Sequence, residues 1–118
     1  MVPDLHEING IDNYDVKQEK SRTLYQKNGK TFLVQNHNTI EVRCDKELGR
    51  TLQERYESVM QSRYFGHGGI EIVLSNQLSQ EELSDLIRLS YEINNNLLWG
   101  NLKLPDKNYN SYGWVRKL

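Results

Sequence analysis

One cysteine, Cys44, leaves this 118-residue chain without the partner that an intrachain disulfide needs. A reducing compartment is therefore expected, with the fold held by its core rather than by staples. No apolar run approaches the roughly 18 residues of a transmembrane helix. The opening, MVPDLHEING, has neither a basic nor an apolar leader region, so no signal peptide is expected and the location reads as cytoplasmic. Charge of either sign is not in excess: 15 basic residues face 16 acidic ones. That balance speaks against a strong nonspecific grip on nucleic acid, though it leaves room for a local basic face. Repeats, low-complexity tracts and linkers are missing, and the length suits a single domain over residues 1–118.

Catalytic and cofactor signatures are missing too. No G-x-x-x-x-G-K-[ST] or G-x-G-x-x-G run occurs, and no H-E-x-x-H or C-x-x-C pair. His6, His37 and His67 are scattered, and His37 sits in a polar turn suited to solvent. A zinc site is not expected. Glu81, Glu82 and Asp85 cluster at a helix start, where acidic groups complement the helix dipole, so they are read as dipole partners rather than metal ligands. No catalytic residue, metal or cofactor is assigned.

What is present is periodicity. Mean hydropathy is −0.78, polar for a folded chain, yet the branched and aromatic residues come in patterned blocks. TLYQK, Asn28-Gly29 and KTFLV predict a hairpin on a type I′ turn. A two-residue loop sets Tyr25 opposite Phe32 and Leu24 opposite Leu33. TIEVRC alternates, with Ile40, Val42 and Cys44 turned inward and Thr39, Glu41 and Arg43 outward. Asp45 is placed to cap a helix whose inward stripe is Leu48, Leu52, Tyr56 and Met60, ending near residues 58–61. Gly49 weakens that helix and points to close contact with another element.

SRYFGHGG reads as a loop, and IEIVL as a strand with Ile70, Ile72 and Leu74 on one face. Ser79 and Glu82 form a capping box. The helix after it buries Leu83, Leu86, Ile87, Ser90, Ile93 and Leu97 and frays at Asn94-Asn95-Asn96. Residues 1–22 form a variable arm, either a short helix or irregular, with Leu5, Ile8, Ile11, Tyr14 and Val16 available for docking. Residues 23–97 form the core. Residues 98–118 are an aromatic tail, with Trp99, Tyr109, Tyr112 and Trp114 suited to packing on the domain or on a partner. The fold class is α+β: an antiparallel sheet of at least four strands, with two main helices on one face, in the order β-β-β-α-β-α.

The blocks GKTFLV, IEVRCDKELGRTLQERYESV and LSQEELSDLIRLSYEI, over about residues 23–97, resemble the MmcQ/YjbR family of small bacterial proteins. Gly29, Lys30 and Phe32 match its G-K-x-F strand. Asp45, Glu47, Leu48, Leu52 and Tyr56 match its capped E-L-x-x-x-L-x-x-x-Y helix, and Leu86, Ile87, Ser90 and Tyr91 its final helix. The resemblance implies a CyaY-like α+β shape, no enzymatic activity and no cofactor, in a family often labelled DNA-binding on the strength of paired hairpin wings. Two departures stand out. Residues 1–22 do not match the family's opening helix and Pro-rich turn. Arg63-Tyr64-Phe65-Gly66-His67-Gly68-Gly69 replaces its K-K-H-W-like segment.

Two binding surfaces are candidates. Lys17, Lys20, Arg22, Lys27 and Lys30 fall in or just before the hairpin, with Arg43 and Arg63 extending the surface. Arg22, Lys27, Lys30, Arg43 and Arg63 are the expected nucleic-acid contacts, reaching phosphates from a projecting hairpin. The competing reading is protection of an edge strand by lysine. Gly66, His67, Gly68 and Gly69 could offer backbone N–H groups to an anion, or serve only as a flexible connection. Cys44, on the apolar side of its strand, is expected to be a core residue. Overall the chain reads as a non-enzymatic binding protein contacting DNA through the hairpin. The alternative is a protein- or small-ligand-interaction module that self-associates through the tail. No membrane partner is expected.

Overall fold

The computed structural model describes residues 2–96. After a 3-10 turn at Leu5–Glu7, the chain forms β1 (Asp15–Glu19), β2 (Arg22–Lys27), β3 (Lys30–Gln35) and β4 (Thr39–Arg43). Then follow α1 (Lys46–Arg55), β5 (Val59–Ser62), β6 (Gly66–Val73) and α2 (Gln80–Asn96). The strands make one antiparallel sheet in the order β1-β2-β3-β4-β6-β5. Both helices lie on the same side, α2 across β2, β3 and β4 and α1 across β5 and β6. The α+β class and the one-sided helices are as expected; β1 and β5 are additions to the expected order.

Strand alternation sorts the side chains into two faces. One row across all six strands is Val16, Tyr25, Leu33, Val42, Ile70 and Gln61, facing the helices. The next is Lys17, Leu24, Val34, Glu41, Glu71 and Met60, facing away. The core lies between helices and sheet, where Phe32, Leu33, Ile40, Val42, Leu48, Leu52, Ile70, Ile72, Leu86 and Ile87 are buried. Leu5, Ile8 and Ile11 from the opening segment join it, whereas Val16 stays 57% exposed on the edge strand.

The hairpin turns at Asn28 (φ 54°) and Gly29 (φ 78°), the positive angles that a type I′ turn requires. Lys27 pairs with Lys30 and Gln26 with Thr31, but the register then shifts at a bulge. Tyr25 pairs with Leu33 and Leu24 with Val34, instead of with Phe32 and Leu33 as the unbroken ladder predicts. The extra residue is Phe32. The bulge sends both Phe32 and Leu33 into the core, where Phe32 meets the Tyr91 ring edge-on at 5.0 Å. It also opens the ladder beside β4. The Ser90 hydroxyl of α2 fills the gap, accepting from Arg43 N–H at 2.7 Å and donating to Phe32 C=O.

Both helix starts match the capping signals. Asp45 Oδ2 accepts from the N–H groups of Glu47 and Leu48, each at 3.2 Å. Ser79 and Glu82 close a reciprocal box at 2.8 and 3.1 Å. A Cβ on Gly49 would stand 3.3 Å from Ile70 Cγ2, so the glycine lets α1 approach β6.

The ends differ from expectation. α1 stops at Arg55 because Tyr56 turns extended, so Tyr56 is its C-cap and Met60 lies beyond it. Val59 takes the inward position of β5, leaving Met60 outward and 41% exposed. α2 does not fray at Asn94: that side chain is buried, and its Nδ2 donates to Lys30 C=O at 3.2 Å. Leu97 and the aromatic tail lie outside the described residues.

Candidate nucleic-acid interface

Thr39, Glu41 and Arg43 were expected to meet water, because polar positions alternate with apolar ones in β4. Instead Glu41 is only 2% exposed and sits directly opposite Glu71 of β6, also 2% exposed. Two carboxylates side by side away from water are costly unless every oxygen is engaged. Here they are. Glu41 Oε1 accepts from Ser62 Oγ at 2.7 Å and Tyr64 N–H at 2.8 Å, and its Oε2 accepts from Asn36 at 2.9 Å. Glu71 takes Arg63 in a fork, Nε at 2.9 Å and Nη2 at 2.7 Å, and accepts from Thr39 Oγ1 at 2.7 Å. Burial pushes the Glu41 carboxyl up, but the Tyr64 N–H, Asn36, Ser62 and the Arg63 charge outweigh it. The carboxyl is held below its ordinary value. With their oxygens committed inward, the two carboxylates act as anchors for residues 62–65, which fold over the helix-free face.

Gly69 permits that fold. A Cβ there would lie 2.5 Å from Val42 O and 2.7 Å from Phe65 Cβ, so only glycine lets Phe65 seat against the sheet. Tyr64 and Phe65 meet edge to face at 4.9 Å. Arg22 and Arg43 lie over these rings, and Arg63 adjoins Tyr64 in the chain. The Arg22 guanidinium lies 5.1 Å from the Tyr64 ring centre, and Arg43 lies 4.9 Å from that of Phe65. Each arginine is held at Nε: Arg22 by Glu19 at 2.7 Å, Arg43 by Thr31 C=O at 3.0 Å, and Arg63 by Glu71. Thr31 Oγ1 also bonds the Tyr64 hydroxyl at 3.0 Å, tying the loop to β3. Tyr64 remains 37% exposed and the Arg63 side chain 76% exposed.

The expected set of basic contacts therefore divides. Arg22 and Arg43 meet the Tyr64 and Phe65 rings, and Arg63, next to Tyr64 in the chain, turns its guanidinium to Glu71. Lys27 points to the other side, its Nζ 5.7 Å from the Tyr91 ring centre, and Lys30 sits beside it at the hairpin turn. The glycine run is not a free loop. Gly66, His67, Gly68 and Gly69 begin β6, and Gly68 C=O accepts from Cys44 N–H at 2.9 Å. Residue spacing could not reveal the arginine cluster or the Glu41–Glu71 pair. The one available signal was a glutamate flanked by branched apolar residues in each of two strands, Ile40-Glu41-Val42 and Ile70-Glu71-Ile72.

The remaining candidates fall where physical chemistry places them. Cys44 is buried, and burial, with Asp45 adding to it, pushes its thiol far up. Glu82 is committed to Ser79 and to the Tyr56 hydroxyl, and Asp85 pairs with Arg88 at 3.3 Å. His6, His37 and His67 are exposed and apart. Among the described residues, no group of three or more His, Cys, Asp or Glu is arranged to hold a metal ion. Also among these residues, no helix is long and apolar enough to cross a membrane. Trp99, Tyr109, Tyr112 and Trp114 lie outside the described residues. No family model, no curated protein and no solved structure matches this chain.

Proposed function

We propose that the protein is a non-enzymatic nucleic-acid-binding module whose contact surface is the helix-free face of the sheet around Tyr64 and Phe65. The observation that carries this reading is the stacking of Arg22 on Tyr64 and of Arg43 on Phe65, with the exposed Arg63 adjoining them in the chain. A guanidinium fixed at Nε and stacked on a ring has already lost much of its rotamer freedom, so it meets a phosphate at a lower entropic cost. An exposed tyrosine between such groups offers a base a stacking surface without reading its sequence, the combination that suits single strands. The near-neutral net charge is compatible with a surface of positioned guanidinium donors, Arg22 and Arg63 being held by Glu19 and Glu71, rather than one of excess charge. The resemblance to the MmcQ/YjbR family points the same way. The hairpin turn, with Lys27 and Lys30, is a secondary contact in this arrangement.

Fluorescence anisotropy with labelled single-stranded and duplex DNA at low salt tests the reading. Binding in the micromolar range is expected, with a log–log salt slope of about −2 for roughly three neutralised phosphates on a single strand. Arg22→Gln should weaken it about tenfold, the size of one lost charge-assisted contact. A Lys27→Glu/Lys30→Glu pair should change it less. Absence of binding to either DNA refutes the function. Loss with the lysine pair but not with Arg22→Gln moves the surface to the hairpin.

A further inference from the structure

A second site lies on the other side of the sheet, where α1 meets β5 and β6. A surface cavity of about 160 Å³ is lined there by Lys46, Arg50 and Gln53 from α1, Gln61 from β5 and His67 from β6. Its floor is Cys44, Gly49 and Gly69. We propose that this cavity binds a phosphate group, either as free phosphate or as the terminal group of a small phosphate monoester. The inference does not depend on the nucleic-acid reading, which concerns the opposite face.

Three observations carry it. First, the five named side chains from α1, β5 and β6 are all hydrogen-bond donors, and none of them is engaged with another described residue. This contrasts with the helix-free face, where each arginine is anchored. Second, the one carboxylate in the lining is Asp45, and its Oδ2 is already turned to the N–H groups of Glu47 and Leu48. Lys46 and Arg50 outnumber that single carboxylate, so the lining carries positive charge on a chain whose formal charge is −1. Third, size decides the class of ligand. Drug-sized and cofactor ligands occupy pockets of roughly 300–1,000 Å³. At about 160 Å³ this cavity falls below that range, a size that suits a tetrahedral oxyanion better than an enclosed nucleotide. Lys46 and Arg50 stand four residues apart on one helical face and both line the cavity on its α1 side. Gln61 and His67 line it on the sheet side, so the glycine run contributes a histidine to the lining.

The test is a titration of the full-length chain with inorganic phosphate, and in parallel with phosphoserine, followed by amide and side-chain NMR shifts. Saturable shifts are expected at His67, Gly49, Gly69 and the Gln53 and Gln61 side-chain amides. Arg50→Gln and Lys46→Gln, both at exposed positions, should each weaken binding by about tenfold. Lys20→Gln, remote from the cavity, should leave it unchanged. Binding of phosphoserine but not inorganic phosphate identifies the monoester as the source; equal binding identifies the free anion. No saturable shift at tens of millimolar of either, or binding that survives the Arg50 and Lys46 changes, overturns the proposal. Arg22→Gln separates the two sites: it should lower DNA binding and leave phosphate binding intact.

Discussion

Gly69 is the residue on which the helix-free face turns. Its missing Cβ is what allows Phe65 and the Val42 carbonyl to approach so closely. Alanine there would force the 62–65 loop away from the sheet, loosening the stack under Arg43 and the anchor on Glu41. Gly69→Ala should cost about 1–3 kcal/mol, the usual range for overpacking, with a small offset from the stiffer unfolded chain. Urea unfolding would measure it, and an unchanged midpoint would show that the loop can yield. The glycine itself is visible in the sequence; its reason is not. GHGG reads equally as slack, because the contact that makes Gly69 necessary comes from Phe65 folding back and from a neighbouring strand.

The elements differ in how far local chemistry specifies them. Asp45, the Ser79–Glu82 box and Asn28-Gly29 act within a few residues of themselves, and each appears where its pattern places it. The bulge at Phe32 is a different matter. It depends on two large residues both finding space under α2 and on a hydroxyl arriving from residue 90 to satisfy the broken ladder. Spacing within the hairpin carries no trace of that. Likewise Met60 continues the four-residue spacing of α1, but β5 pairs with β6 and Val59 wins the inward position. Ser90→Ala should orphan the Arg43 N–H and the Phe32 carbonyl together, with an expected loss of roughly 2 kcal/mol or more. Chemical denaturation would measure the loss. Amide exchange at Arg43 should also quicken in the variant; protection equal to wild type would mean that the gap closes without the hydroxyl.

For the whole molecule, the buried carboxylate pair links the fold to acidity. Glu41 is held below its ordinary value in the folded chain, so its ionised form favours folding. That contribution is complete above the unfolded value of about 4.3 and disappears as pH falls through the lower folded value. Glu92 acts in the opposite sense: burial, partly opposed by Arg88, pushes its carboxyl up. Its protonation therefore favours the fold. A comparison with Glu41→Gln isolates the first group. The stability gap between wild type and variant should be constant from pH 7 to about pH 5 and narrow below about pH 4. Urea midpoints at pH 7, 5 and 3 would show it, and a gap independent of pH would remove Glu41 from the account. The pattern of alternating polar residues could not disclose this pair, because a glutamate destined for water and one destined for a network look alike until the covering loop is known.

The position of α2 has a consequence for biosynthesis. It is the last described element, yet it roofs β2, β3 and β4 and supplies the hydroxyl between Phe32 and Arg43. While a ribosome is still making the chain, the first four strands emerge with their greasy side bare. Closure must wait until residue 90 and its neighbours have cleared the exit tunnel. A transcript broken before Ser79 would therefore yield a sticky product fit for chaperones and proteases, not a smaller working version of the same protein.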